Sequence, residues 1–214
     1  MTAARWFSAT TALQGRIPRR VRRPAALFPA ALVAAALALA GCEQPVPPEA
    51  QACDLVRPAL GFALNIPERW TVRDLGGDVV VEIVAPDAPA GAGPAAGEPA
   101  AETRPRRPRA VVQVLVVERE GVGLDQWADE ASAEMVEVQP DLAISARDAS
   151  ELADGREALL LAIENPRGVE PEEQRMLLAV TANRAYALIA TASASEMAAV
   201  EPDLDVCLDS FIVW

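Results

Sequence analysis

Hydrophobic residues after position 55 form short apolar runs and one clear helical stripe. The runs Val79–Val84 and Val111–Val117 are rich in β-branched residues, which is typical of buried strands. Between 124 and 138, apolar residues recur at three- and four-residue spacings, which predicts an amphipathic helix. Its apolar positions are Leu124, Trp127, Ala128, Ala131, Met135 and Val138. Asp125 is the predicted N-cap, and Pro140 follows the end of the helix.

Two further pairs of predicted strands are joined by turn signals. The segment 142–164 contains Asp-Gly at 154–155, which predicts a hairpin with a type I′ turn. The segment 175–191 contains the weaker turn signal Asn-Arg at 183–184. Strands joined mostly by hairpins, with one or two helices between them, predict an α+β fold with an antiparallel sheet. Several strands are apolar on both faces, so we expect both sides of the sheet to be covered.

The two ends of this region predict further elements. Residues 60–66 predict a strand at the start, and residues 211–214 predict one at the end. Before the last strand, Ser193 and Glu196 form a predicted capping box. A helical stripe follows, with a predicted break or restart at Pro202. The stripe consists of Met197, Val200, Leu204, Cys207 and Leu208.

Residues 1–41 have the pattern of a bacterial lipoprotein signal peptide. Arginines between 16 and 23 precede an apolar stretch at 25–40, and the lipobox Leu-Ala-Gly-Cys occupies 39–42. We therefore predict that Cys42 carries a diacylglyceryl group and becomes the acylated N-terminus after cleavage. Two or more acyl chains, such as palmitate, anchor a protein stably to a membrane.

Other interpretations of this segment stay open at the level of sequence. An uncleaved transmembrane helix needs about 20 apolar residues, against roughly 16 here. Ordinary secretion, a signal anchor and a twin-arginine signal are the remaining alternatives, and a translation start later than Met1 is a further one. Glu43 follows the lipobox, and in enteric-type sorting an Asp there retains lipoproteins in the inner membrane. Glu43 therefore favours the outer membrane, with the protein facing the periplasm.

Composition excludes several function classes. The net charge is −12, and loss of the six arginines before Cys42 would take it to −18. Such an acidic chain repels nucleic acid, so nucleic-acid binding is not expected. The sequence has no histidine, which removes the commonest general base and transition-metal ligand. We therefore predict that the protein is not an enzyme and has no cofactor.

Two low-complexity segments flank or interrupt the predicted domain. Residues 42–54 are Pro-rich and predict a lipidated N-terminus with an unfolded tether of about 30 Å. Residues 86–108 are rich in Ala, Gly and Pro and predict a long flexible loop between two strands. The arginines at its end are candidates for contact with a partner or with lipid headgroups: Arg104, Arg106, Arg107 and Arg109. A tolerated insertion without function is the alternative.

The order of elements resembles the PsbP-like and DcrB-like domains. The segment 62–70 resembles their opening strand, Pro, turn and Trp, and the segment 202–211 resembles their closing Pro, helix and Ser-Phe. The resemblance covers 55–214 and implies a three-layer α-β-α sandwich around an antiparallel β-sheet. It also implies a binding or assembly factor, since such proteins are mostly of that kind and some are envelope lipoproteins. The family offers no catalytic residue to transfer.

Two cysteines remain in the body of the chain, Cys53 and Cys207. A signal peptide leads to an oxidising compartment, where an even pair predicts a disulfide between them. The alternative is that Cys207, which lies in an apolar stripe, is a buried hydrophobic residue. The acidic groups at 170–173 and 203–209 lack the spacing of a calcium loop, so we interpret them as solvated surface.

Two function classes follow from these observations. The first is a non-catalytic envelope lipoprotein that binds an unidentified envelope protein as a docking, assembly or stability factor. The second is a periplasmic protein that binds a small ligand or a divalent cation in the sandwich. Calcium binding would discriminate the cation version of the second class from the first.

Overall fold

The computed structural model describes residues 45–86, 109–166 and 170–214. These residues form three helices and ten strands, joined by turns and by a 3₁₀ turn at Pro58–Leu60. The helices are α1 (Pro48–Gln51), α2 (Leu124–Val138) and α3 (Ala194–Asp209). The strands are β1 (Leu55–Arg57), β2 (Phe62–Leu64), β3 (Thr71–Asp74), β4 (Val79–Val84), β5 (Ala110–Glu118), β6 (Ala143–Glu151), β7 (Glu157–Asn165), β8 (Glu172–Val180), β9 (Arg184–Ser193) and β10 (Ile212–Val213).

The strands make one large and one small antiparallel sheet. The large sheet has seven strands in the order β3-β4-β5-β9-β8-β7-β6, so β3 and β6 are its two edges. The small sheet has the order β1-β2-β10. The pairing of β5 with β9 joins strands far apart in the chain. The antiparallel α+β class predicted from the sequence is confirmed.

The large sheet separates two hydrophobic clusters because side chains alternate along its strands. On one face, Ala187 of β9 packs in the cluster that contains Trp127 and Met135 of α2. On the other face, Tyr186 of β9 packs with α3 and with Phe62 of the small sheet. The two helices therefore cover opposite faces, and the predicted three-layer α-β-α sandwich is confirmed.

Helix α2 has the bounds that its apolar periodicity predicts, Leu124–Val138. The indole Nε1 of Trp127, which is buried against the sheet, donates a hydrogen bond to the backbone oxygen of Tyr186 at 3.0 Å. The predicted N-cap is wrong, because Gly123 occupies that position without a side-chain cap. Asp125 lies in the first turn, where its carboxylate instead accepts a hydrogen bond from Arg147.

Helix α3 differs from its prediction in two respects. It runs without a break through Pro202, since Val200 and Leu204 on either side of the proline are buried in one cluster. The capping box does not form, although Ser193 is the N-cap residue. Its hydroxyl instead lies 3.1 Å from the hydroxyl of Ser195, and the carboxylate of Glu196 pairs with Arg109.

The hairpin between β6 and β7 is confirmed, but its turn type is not I′. A type I′ turn needs positive φ at both central residues, and only Gly155 has it, at +78°. The amide of Gly155 donates to the Leu152 oxygen at 2.9 Å, and the amide of Leu152 donates to the Arg156 oxygen at 2.9 Å. This is a three-residue loop closed by a type I turn and a glycine bulge.

The chain before β1 is more ordered than a tether. Pro48 starts the short helix α1, as proline favours the first helical position. Ala50 is fully buried against Ala63 and Ile212 of the small sheet, and Val46 packs on the same cluster. The tether predicted at 42–54 is therefore shorter, and the domain extends toward the N-terminus at least to Val46.

The strand predicted at 60–66 is shortened by a turn at Gly61. Gly61 has a φ of +68° and ends the 3₁₀ turn. Its oxygen accepts a hydrogen bond from the Trp214 amide at 2.9 Å, and the Tyr186 hydroxyl donates to the Leu60 oxygen at 3.1 Å. The turn thus joins the small sheet to β9.

Candidate functional site

The arginine-rich loop gives one candidate contact residue that can be located. Cys42, Arg104, Arg106 and Arg107 lie outside the described residues, as does the loop between Pro86 and Arg109. That loop joins β4 to β5, which are neighbouring strands of the large sheet. Arg109 donates from Nε to the carboxylate of Glu196 on α3. Its charge is therefore engaged within the domain.

The predicted disulfide between Cys53 and Cys207 is not formed, and both are free thiols. Cys207 is fully buried in the cluster beneath α3, whereas Cys53 packs on the cluster that contains Ala63. Phe62 and Ala63 point to opposite faces of β2, so the small sheet separates the two thiols. The alternative interpretation of Cys207 as a buried hydrophobic residue is confirmed.

Burial also sets the chemistry of these thiols. Desolvation raises the pKa of Cys207 to about 12, with a smaller contribution from Asp203. The pKa of Cys53 is raised by desolvation and then by Asp54. Since the thiolate is the nucleophile, a raised pKa makes a cysteine less reactive.

The acidic residues of α3 hold the helix to the sheet. The guanidinium of Arg175 on β8 pairs with Glu201 and, at 3.2 Å, with Asp205. The carboxylate of Asp203 accepts a hydrogen bond from the buried Trp70 indole at 3.2 Å. Desolvation raises the pKa of Asp205, which Arg175 partly offsets. Within 45–86, 109–166 and 170–214, no group of three or more His, Cys, Asp or Glu side chains is placed to hold a metal ion.

Two small cavities lie in the described part of the chain. One of about 10 Å³ lies between α2 and the sheet, beside Trp127 and Met176. A second, of about 140 Å³, is a surface pocket beside Glu164 and Glu173. Ligand pockets usually have volumes of about 300 to 1,000 Å³. This geometry does not favour the small-ligand alternative.

No helix of the described segments is both long and apolar enough to cross a membrane.

Strand β6 is the longer of the two edge strands of the large sheet. Its nine residues, Ala143–Glu151, contain no buried position. In the described part of the chain β6 pairs with β7 alone, so its other side is an edge. An edge strand presents unpaired backbone N–H and C=O groups that can pair with another strand.

The hairpin fixes which backbone groups face away from β7. Leu152 is hydrogen-bonded to Arg156, and hydrogen-bonded pairs alternate along an antiparallel ladder. With the observed register, residues 146, 148 and 150 bond to β7. Arg147, Ala149 and Glu151 therefore direct both their N–H and their C=O groups outward. We call the backbone of residues 146–151 on this side the β6 edge.

A bulge limits the β6 edge at its N-terminal end. The register with β7 shifts between Ile144 and Ala146, and the hydroxyl of Ser145 donates to the Ala162 oxygen at 3.3 Å. Bulges and charged side chains are common protections against uncontrolled pairing of edge strands. The regular part available to a partner is therefore short.

Charged side chains give the β6 edge its electrostatic pattern. The guanidinium of Arg147 contacts Asp125 at 2.8 Å and Asp129 at 2.5 Å, so it lies on the α2 face. Glu151 lies on the same face, directly opposite Glu157 of β7. Like charges in directly opposite positions are unfavourable in a sheet. A cationic group beside Glu151 would relieve this repulsion.

The sequence predicted this strand but not its position at the edge of the sheet. The segment 142–152 was predicted as a strand, whereas its place at the sheet edge depends on the strand order. One local signal was present: Ser145, Arg147 and Asp148 put polar groups on both faces of the strand. Strands that are covered on both faces are instead nearly continuously apolar.

No protein-family model and no curated protein matches the sequence, but solved structures match it. Cyanobacterial PsbP (CyanoP) from Synechocystis sp. PCC 6803 aligns with a TM-score of 0.52 and 12% identity, over 75% of this chain and 91% of that chain. LpqN, involved in cell envelope biogenesis of Mycobacterium tuberculosis, aligns with a TM-score of 0.50 and 14% identity, over 71% of this chain and 82% of that chain. A Bacteroides thetaiotaomicron structure aligns with a TM-score of 0.49 and 9% identity, over 75% of this chain but only 47% of that longer chain.

The domain has a PsbP-like fold. The α+β architecture, with its antiparallel sheet, agrees with the CyanoP alignment. At these identities the likeness concerns the fold alone, because one fold hosts many functions. Any function has to be argued from the surface of this chain.

Proposed function

We propose that the protein is a non-catalytic, lipid-anchored protein of the cell envelope that binds another polypeptide chain along the β6 edge. The observation that carries the proposal is the open backbone of β6, with Arg147, Ala149 and Glu151 directed outward. An extended segment that adds to a sheet edge gains main-chain hydrogen bonds, and side chains on alternate residues supply specificity.

The envelope location is supported by the sequence and by one structural neighbour. The lipobox at 39–42 predicts lipidation of Cys42, and Glu43 favours the outer membrane with the domain facing the periplasm. LpqN, which has a similar fold, is described as involved in cell envelope biogenesis. Partner binding, rather than catalysis, agrees with the absence of histidine from the sequence.

The ordered N-terminal segment changes the geometry of anchoring. Cys42 lies only four residues before Val46, which packs on the small sheet. Four extended residues span at most about 14 Å. A lipid on Cys42 would therefore hold the domain close to the bilayer surface rather than on a long tether.

The direct experiment is cross-linked capture of partners by the tagged, lipidated protein in native envelopes, read by mass spectrometry. In the test variant, Ala149→Pro removes an outward N–H without breaking a bond to β7. The matched control is Val72→Pro on β3. The bond between the Leu75 amide and the Val80 oxygen places residue 72 at an outward position of the opposite edge.

The proposal expects loss of captured protein with Ala149→Pro and retention with Val72→Pro, at equal melting temperatures. A Cys42→Ala variant should capture less because it is not anchored. Equal capture by Ala149→Pro and wild type would refute the use of the β6 edge.

A further inference from the structure

The β6 edge is complementary to itself when two copies run antiparallel. If Ala149 lies opposite Ala149 of a second copy, Arg147 lies opposite Glu151 of that copy, and the same pair recurs on the other side. Asp148 then lies opposite Ser150, so a carboxylate faces a hydroxyl donor. Opposite-charge and donor–acceptor pairs stabilise neighbouring strands.

The directions of the backbone N–H and C=O groups support the same alignment. The N–H and C=O groups of 147, 149 and 151 face outward, and this register pairs outward-facing residues only with one another. Three such pairs provide about six backbone hydrogen bonds. The small side chain of Ala149 sits at the centre of the contact.

The neighbouring symmetric registers lack this complementarity. Centres at residues 147, 148 and 151 place Arg, Asp or Glu opposite its own copy, which is unfavourable. A centre at residue 150 places Arg147 opposite Ala153 and Glu151 opposite Ala149, so neither charge finds a partner. Only the centre at Ala149 aligns opposite charges.

We infer that the β6 edge is occupied by the β6 edge of a second copy of this chain, which gives a symmetric dimer. The inference rests on the proposed function, since it names the partner for the edge proposed there. The dimer joins two seven-stranded sheets into one, and each β6 edge is used up by the contact. Such an isologous contact closes on itself and does not lead to open-ended assembly.

Two features of the monomer favour this occupant. Glu151 faces Glu157 within its own sheet, and Arg147 of the second copy would approach this acidic pair. The two-fold axis of the contact is normal to the sheet, so both copies turn the same face toward one side. The small sheet and α1 lie on the α3 side of the large sheet. Both lipid anchors would therefore leave from the same side, as a single membrane requires.

The contact is short, so it should depend on anchoring. Stable interfaces bury roughly 1,200 to 2,000 Å² in total, and one strand pair buries less. Confinement to a membrane raises the effective concentration of the second copy without new contacts. Dimer formation should therefore be measured with the lipidated full chain in membranes.

The primary test is disulfide trapping with Ala149→Cys. Directly opposite residues of a hydrogen-bonded pair have Cα atoms about 5.5 Å apart, within the range of a disulfide. Val72→Cys, at an outward position of the opposite edge, is the matched control, and the chain without either substitution reports on the native thiols. Mild oxidation should yield at least roughly tenfold more dimer from Ala149→Cys than from Val72→Cys.

Charge reversal supplies an independent test. In the Ala149→Cys background, Glu151→Arg alone and Arg147→Glu alone each create like-charge pairs, and each should reduce the trapped dimer roughly tenfold. A mixture of the two variants restores both opposite-charge pairs, so heterodimer should return to the level of the Ala149→Cys parent. This rescue does not depend on how well either variant keeps the contact between Arg147 and α2.

The outcomes separate this inference from the proposed function. Equal trapping at positions 149 and 72, or no rescue in the mixture, would overturn the dimer. An Ala149→Cys adduct with a different envelope protein would also overturn the dimer but would support the proposed function. If position 149 forms no adduct of either kind in native envelopes, the dimer is refuted, and partner capture by Ala149→Pro against wild type then decides the proposed function, because a partner without a cysteine cannot form the disulfide.

Discussion

Replacing Gly61 by alanine tests how closely the chain packs where the small sheet meets β9. Gly61 has a φ of +68°, a conformation that costs a residue with a Cβ about 1 to 2 kcal/mol. A Cβ built there would lie 2.5 Å from the Trp214 backbone oxygen and 2.9 Å from the Tyr186 hydroxyl. Neither contact can be accommodated unless Trp214 or Tyr186 moves away from the added Cβ.

The expected loss of stability is the sum of strain and displacement. Overpacking of a core typically costs about 1 to 3 kcal/mol, so Gly61→Ala should lower the free energy of unfolding by about 2 to 5 kcal/mol. Gly155→Ala is the matched control. Its φ is +78°, but no described atom lies within 4 Å of the added Cβ. The control should lose only about 1 to 2 kcal/mol.

Urea denaturation of both variants measures the difference directly. The midpoints should differ while the slopes stay equal, since both variants unfold the same surface. Equal losses in Gly61→Ala and Gly155→Ala would refute the close packing around Gly61. A neutral Gly61→Ala would refute the turn geometry itself.

Further predictions concern the thiols and the ion pairs. Denatured protein should show Cys53 and Cys207 as free thiols, and native protein should react with a thiol reagent mainly at Cys53; absence of both thiols would reinstate the disulfide. Burial raises the pKa of Cys207 from its ordinary value of 9.0 to about 12, so the folded state holds this proton more tightly. Cys207 should therefore contribute a fall in stability of about 1.4 kcal/mol per pH unit between those values, and Cys207→Ala should lose this contribution; an unchanged slope would contradict the burial. Arg175→Ala should cost about 1 kcal/mol at low salt and less at high salt, since the pairs with Glu201 and Asp205 are partly exposed; an effect independent of salt would contradict the ion-pair account.

Local sequence patterns predicted most helices and strands, because the type of such an element depends mainly on the residues within it. The stripe from Leu124 to Val138 gave the helix with its observed bounds, and the run Val79–Val84 gave β4. Gly155 marked a hairpin that exists. The turn type was wrong, because a glycine bulge and a type I′ turn share the same residue preference.

Features that depend on contacts between distant parts of the chain could not be predicted from the sequence. The pairing of β5 with β9 places β6 at an edge, and no local pattern encodes that order. Cys53 and Cys207 are an even pair of cysteines, which predicted a disulfide, yet the small sheet lies between them. The capping box failed because Arg109, which directly precedes β5, pairs with Glu196.

The most direct test of the central claim is hydrogen exchange at the β6 edge. The amides of Arg147, Ala149 and Glu151 face outward, so in the dilute, unanchored protein they should exchange rapidly. In native envelopes, a bound chain should protect these amides, and peptides covering β3 should stay unchanged. Rapid exchange of β6 in both preparations would contradict the proposal that this edge binds another polypeptide.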